Sequence, residues 1–451
     1  MIVWYDIGNF NKGERLVAGM KKIVSVLLAL CLLCGLYACG GPKEVENEEV
    51  TVAEKKGLFT GTLENGAPNG EGKVVFTDGE KGEWSFEGTF TEGVPEKGKL
   101  DSLPLVLKIN GKDVSGVYSG DAQGFTASGE GKFTADSEEA PFSYEGEFSD
   151  GTLSGAGDVE NYPFALEYDG ETYEGTYNGG FTDGLPDSDG KFAYKDEDNH
   201  YFEYEGGWKA GGLSGEGKLK SDLLVVHFKE NDRQGTYEGE TLDGVPSGTG
   251  SFTAVNYEDV TYTYTGEWKD GLWNGQGVKK NDASNYPTHT GTFTDGEFTP
   301  TAAEWFATLG TYETSKFSVS DASRQFITEH EQNFRNHTLE GIEDLVNPTY
   351  SYLEFSKNST GYESTPIKVE GLRVNQIEEH EDWWGNVRTL ILAWDMERDN
   401  YYWVEMMGKV PDIYESNTIT LYALPLDHFT FKSAINTEVW AVACAGLSVS
   451  K

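Results

Sequence analysis

Rings, glycines and charges recur along this chain in a fixed alternation. In Tyr144-Glu-Gly146-Glu-Phe148 the two rings and the glycine share one parity and the glutamates the other. An extended chain therefore carries rings and glycine on one face and charge on the opposite one. Asp150-Gly151 follows, a dipeptide that tolerates positive φ and closes a tight hairpin. The return strand carries Gly155 and Gly157, again of one parity, which leaves bare backbone where a ring from a neighbouring unit can lie. The same spelling returns at Tyr204, Gly206, Trp208, Gly211, Gly215 and Gly217, and at Tyr264, Gly266, Trp268, Gly271, Gly275 and Gly277.

Looser copies start at Phe59, Phe86, Tyr118, Tyr177 and Tyr237, and a half copy starts at His289, which makes nine. In the Tyr177 copy, Ser188 stands where a glycine is expected. Asn65-Gly66, Asp183-Gly184, Asp243-Gly244, Asp270-Gly271 and Asp295-Gly296 recur at the turn position. Phe59, Tyr118, Tyr177 and Tyr237 lie 59, 59 and 60 residues apart, and Phe86, Tyr144, Tyr204 and Tyr264 lie 58, 60 and 60 apart, so the true period is a pair of hairpins. One hairpin has too little apolar area to fold alone and must stack on its neighbours. A unit repeated nine times is structural rather than a catalytic loop.

The pattern Y-x-G-x-[W/F]-x-x-G-x-x-x-G-x-G resembles the MORN repeat, over residues 58–299. The resemblance implies a mainly β fold, an elongated single-layer antiparallel sheet of hairpins, and a role in scaffolding or partner binding. It names an architecture and not an activity.

The other segments carry separate signals. From Met20, MKKIVSVLLALCLLCGLYACGG has two lysines, an apolar run and a cysteine, which reads as a signal peptide over 20–38. Leu36-Tyr-Ala38-Cys39 resembles a bacterial lipobox, in which Cys39 is acylated and anchors the chain to a membrane. Residues 1–19 read as an upstream extension with nothing signal-like in it, and 39–57 as an acidic, disordered tether. The expected location is the extracytoplasmic side of a bacterial envelope. With Cys31 and Cys34 removed and Cys39 lipidated, Cys444 stands alone and no intramolecular disulfide can form.

A net charge of −41 disfavours nucleic acid as a partner, because phosphate neutralisation needs the opposite sign. It equally disfavours contact of the repeat face with anionic lipid. Mutual repulsion would instead keep a long open sheet soluble.

After Pro300 the spelling changes. Thr301-Ala-Ala-Glu304 predicts a capping box opening a helix to Gly310, a second helix follows Ser320, and TLEGIEDLV a short third, a helical connector over 300–349. Over 350–451 five strands are predicted: IKVEGLRVNQI, VRTLILAW, NYYWVEMM, TITLYALPL and EVWAVACAGLSV. Their order and spacing resemble an OB-like five-stranded barrel, within a small α+β domain. Such a barrel binds chains across its second and third strands. Trp394, Tyr402 and Trp403, with Trp383 and Trp384 in the adjoining loop, are candidates to stack on sugar rings, although alternation alone also lets these rings fill the barrel.

Catalytic spellings fail on inspection. His330-Glu331-Gln332-Asn333-Phe334 lacks the second histidine of a zinc-peptidase helix, and His330 and His337 have no third ligand. Asp187, Asp189, Asp196 and Asp198 lack the spacing of an EF-hand and would take Ca²⁺ only weakly. No catalytic residue, metal site or cofactor is expected. The reading is a lipid-anchored scaffold that holds an envelope protein or glycan. Its rivals are a hydrolase with a polar pocket and perturbed side chains in residues 301–451, and a passive spacer.

Overall fold

The computed structural model describes residues 41–79, 82–109, 111–137, 141–229, 231–283, 286–382, 384–433 and 436–451. The upstream extension, the signal segment, Cys39 and Trp383 lie outside the described residues. The chain divides into two compact units, Met1–Gly155 and Ala156–Lys451.

In the first unit eight strands, from Lys43–Val52 to Ser143–Ser149, pair antiparallel with their sequence neighbours. In the second, eleven strands do the same, from Thr152–Tyr168, which contains the division, to Glu297–Phe298.

The hairpin of Tyr201–Lys209 and Gly212–His227 shows how the spelling works. Ala210 and Gly211 both have positive φ, 50° and 83°, so the strands join through a two-residue turn whose twist matches theirs. Asn65-Gly66, Asp150-Gly151, Asp183-Gly184, Asp243-Gly244, Asp270-Gly271 and Asp295-Gly296 likewise have positive φ at both residues. Beyond the turn, Trp208 faces Leu213 and Gly206 faces Gly217, so the return strand bulges outward over Ser214, Gly215 and Glu216. Gly215 sits in the bulge at φ 71° with open space where a side chain would stand.

The last glycine has a different task. A Cβ on Gly217 would lie 2.3 to 2.5 Å from the hydroxyl and ring of Tyr204. The ring seated on that glycine belongs to the same hairpin, not to a neighbour as the parity argument expected. Tyr204 stands opposite Leu219 and leans diagonally across to Gly217, a reach that a long side chain makes within one strand pair. Gly155, at φ 57°, has the Glu147 side chain beside it and no ring seated on it.

The tyrosine hydroxyl then donates to the carbonyl three residues ahead, at 3.2 Å from Tyr204 to Gly207. Tyr118, Tyr144, Tyr177, Tyr237 and Tyr264 repeat this bond at 2.6 to 3.0 Å. It satisfies a hydroxyl that burial would otherwise strand.

Hairpins couple through the second aromatic of the second member of each pair, and again through Phe293 of the closing half copy, which packs on Tyr264 at 5.0 Å. Trp208 packs edge-on against Tyr204 at 5.5 Å and against Tyr177 of the preceding hairpin at 4.9 Å. Trp268 does the same with Tyr264 and Tyr237. Phe148 does so with Tyr144 and Tyr118, and Phe90 with Phe86 and Phe59. The first copy of each pair carries Leu63, Ala122, Phe181 or Thr241 at that position instead. On the opposite face, Lys191 meets Glu205 at 2.9 Å and Lys132 meets Glu145 at 3.2 Å, exposed pairs that add little stability.

Ser188 takes the bulge position at φ 67° despite its Cβ. Ser188→Gly is expected to stabilise the chain by about 1 kcal/mol, read as a higher urea midpoint, because only glycine adopts that conformation without strain.

The tether expectation is corrected. Lys43–Val52 is a strand paired with Lys55–Glu64, and Val50 and Val52 are buried on the ring side. Its turn, Ala53-Glu54, takes positive φ at both residues without a glycine or asparagine to announce it. The glutamates that suggested disorder occupy an edge strand, where charge discourages further pairing.

The capping box at Thr301 and Glu304 forms and opens the helix Ala302–Leu309. Glu304 also accepts from the Thr292 backbone at 3.2 Å and from Gln276 at 3.1 Å, which fixes the helix to the last repeat strands. Asp321–Glu329 and Glu331–Asn336 follow as two short helices broken at His330, and Glu343–Leu345 is a 3₁₀ turn.

Five strands then form a second sheet: Ile367–Glu381, Val387–Asp395, Asn400–Met407, Thr418–Lys432 and Glu438–Ser450. The order is first, second, third, fifth, fourth, and the first and fourth pair to close it. The third and fifth strands run parallel, and the other pairs are antiparallel. Its interior holds Val374, Ile391, Tyr402, Val404, Ile419 and Cys444, among others.

Candidate functional site

The outward residues of the first three strands of the closed sheet form a floor. Gln376, Glu378 and His380 alternate along the first strand, Arg388 and Leu390 along the second, and Trp403 stands on the third. Trp305, Thr308 and Leu309 of the capped helix, then Tyr312, form one wall. His289 and Phe298 of the half repeat form another. The result is a pocket of about 450 Å³.

Glu405 lies under this floor, 1 % exposed. Its Oε1 accepts from the Trp403 indole at 2.9 Å and from Arg388 at 3.4 Å. Its Oε2 is buried without a partner. Burial pushes the Glu405 carboxyl upward, and Arg388 and the Trp403 bond pull it back only in part. Arg388 is held from the other side by the Tyr312 ring, 4.8 Å from its guanidinium carbon.

Glu378 accepts from Gln376 and from His380, the latter at 2.9 Å, and these bonds hold its carboxyl below the usual range. Asp382 accepts the backbone N–H groups of Trp384 and Asn386 at 2.9 and 2.8 Å and so shapes the loop after the first strand.

That loop reaches the end of the repeats. Trp384 packs on His289 at 4.7 Å and on Phe298 at 5.7 Å, and the Lys279 ammonium lies 4.8 Å above it. Burial lowers Lys279 to about 8 and His289 to about 3, so the imidazole is neutral at physiological pH. His289 Nδ1 and Thr308 Oγ1 are, like Glu405 Oε2, buried without partners.

The aromatic candidates do not converge. Tyr402 points into the closed sheet, 2 % exposed, because it has the opposite parity to Tyr401 and Trp403. Trp384 is spent on the repeat end. Trp394 stacks parallel to Tyr401 at 6.0 Å, outside the pocket lining. Of the described members of the set, Trp403 alone lines the pocket. Neither His330, whose ring lies on Phe326, nor His337, bonded to the Met407 carbonyl at 2.6 Å, faces a ligand set. Among the described residues no group of three acidic, histidine or cysteine side chains is placed to hold a metal.

Sequence reasoning missed Trp305, Thr308, Tyr312, Arg388 and Glu405. The one local signal is Glu405 itself, a charge inside the otherwise apolar run WVEMM.

Residues 59–81, 144–157, 204–222 and 264–280 match the MORN repeat. The chain carries MORN repeats. Three of the four matched segments open at the second hairpin of a pair, the member whose ring bridges two tyrosines. MORN copies with Ala122 or Thr241 at that position, starting at Tyr118 and Tyr237, lie outside the matched segments. A search of curated proteins finds no match.

Proposed function

We propose that this chain is a lipid-anchored extracytoplasmic scaffold that holds an envelope partner in the pocket at the end of its MORN repeats. The carrying observation is that pocket: rigid repeat strands, a capped helix and a closed sheet meet around partly unsatisfied polar groups. Stacked rings and bonded tyrosines leave the repeats a structural task, which suits a scaffold. Strand order, closure and the parallel third and fifth strands support an OB-like barrel, and the pocket lies on the strands such barrels use for ligands. The apolar run ending in Leu36-Tyr-Ala38-Cys39 supports the anchor.

The hydrolase reading gains from Glu405, a carboxyl with a raised pKa in the region it predicted. A catalytic acid must also touch the scissile bond, and Glu405 is covered by Trp403 and Arg388. Binding therefore fits better than cleavage.

Two measurements test the proposal. Cys39→Ala is expected to move the protein from the membrane to the soluble fraction. The full mature chain is expected to be retained by host envelope polysaccharide or protein at moderate salt. Membrane association unchanged by Cys39→Ala sinks the anchor, and retention by neither fraction sinks the binding role.

A further inference from the structure

Seven buried side-chain polar atoms among the described residues have no hydrogen-bond partner, and two of them, His289 Nδ1 and Thr308 Oγ1, belong to residues that line this pocket, while a third, Glu405 Oε2, lies beneath its floor. Each such atom costs free energy unless something completes it. Clustering around a pocket of ligand size points to a ligand that does so.

Resting on the reading of this pocket as the binding site, we infer that its ligand is a neutral or amino-bearing sugar ring. Trp305, Trp403 and Tyr312 supply apolar walls against which the flat face of a ring can lie. Neutral His289 can accept a hydrogen bond, and the Thr308 hydroxyl can donate or accept. Sugar hydroxyls do both. A bare ammonium ligand only donates and would leave a donor unanswered.

Charge narrows the class further. Glu378, Glu381 and Asp382 border the pocket, and Arg388, its guanidinium cation, is already engaged by Glu405. Uronic acids and phosphorylated sugars are repelled, whereas a neutral or aminated ring is not.

The test is calorimetric titration of the full mature chain with N-acetylglucosamine, glucosamine, glucose and glucuronate. At least one of the first three is expected to bind saturably, and glucuronate at least tenfold more weakly. Thr308→Val, which removes the hydroxyl and keeps the shape, is expected to weaken that binding at least fivefold without changing the circular dichroism spectrum or Tm. His289→Phe, which removes the acceptor and keeps a ring, serves as a second variant should Thr308→Val misfold, and is expected to weaken binding in the same direction.

Saturable binding untouched by either variant would place the sugar elsewhere and overturn the inference. Absence of binding by all probes overturns it as well. If envelope retention of the full chain then persists and is equal in Thr308→Val, the scaffold reading survives and only the sugar pocket is lost. If retention is absent too, both fall. Turnover of a probe-bearing oligosaccharide would replace binding by hydrolysis.

Discussion

Gly217→Ala is expected to destabilise the second unit by about 3 kcal/mol, and Gly215→Ala by only about 1 kcal/mol. The two glycines are one residue apart and look equivalent in the spelling Gly-x-Gly. A methyl on Gly215 meets open space and suffers only the strain of φ 71°. A methyl on Gly217 would stand 2.3 Å from the Tyr204 hydroxyl and 2.5 Å from its ring. That ring cannot retreat: it is 1 % exposed, tied to the Gly207 carbonyl and wedged against Trp208. Displacing it also breaks the contact through which Trp208 reaches Tyr177. Because neighbour contacts dominate stability in repeat sheets, hydrogen exchange should rise on both sides of the substituted hairpin. Urea unfolding followed by tryptophan fluorescence gives the magnitudes. Equal losses at the two positions would mean that the ring seat carries no special weight.

Arg388→Ala is expected to cost about 3 kcal/mol at pH 8, and most of that should return in the double variant with Glu405→Gln. Removing Arg388 leaves the carboxylate of Glu405 buried with only the Trp403 indole as donor. The pH dependence follows from the direction of the Glu405 shift. Its folded pKa lies above the unfolded one, so between the two values the native chain keeps a proton that the unfolded chain has released. Stability from this group is therefore present at low pH and falls as pH rises through that window. Arg388→Ala removes a lowering influence, pushes the folded value higher and extends the fall to higher pH. Glu405→Gln alone should flatten it. Thermal unfolding of the four proteins at pH 5 and pH 8 decides the matter. A loss in Arg388→Ala that is the same at both pH values, or is not restored in the double variant, would show that Arg388 acts through packing alone.

Much of the repeat geometry was legible because its information is local. Asp-Gly and Asn-Gly dipeptides set the turns, parity set the ring face, and the spacing of starts set the pairing of hairpins. The first strand escaped because Ala53-Glu54 makes the same turn without the residues that announce it. The assignment of each ring to its glycine escaped for another reason: parity fixes a face but not which way a side chain leans. The pocket was nearly invisible. His289, Thr308 with Tyr312, Arg388 and Trp403 come from four segments, which say nothing of one another in sequence. Trp384 and Tyr402 were legible as aromatics but not as to which side of a strand or loop they served.

The alternation at the coupling position has a consequence for how such a chain can lengthen. Phe90, Phe148, Trp208 and Trp268 bridge two hairpins, whereas Leu63, Ala122 and Thr241 stand at the same position in the first member of three of the pairs. Deleting one hairpin would break that alternation, as happens once at the end of the repeats, where Trp268 and Phe293 of consecutive copies both pack on Tyr264. Deleting or duplicating a whole pair keeps the alternation. Gene segments encoding about 60 residues are thus the unit that recombination can add or remove while keeping it, four strands at a time.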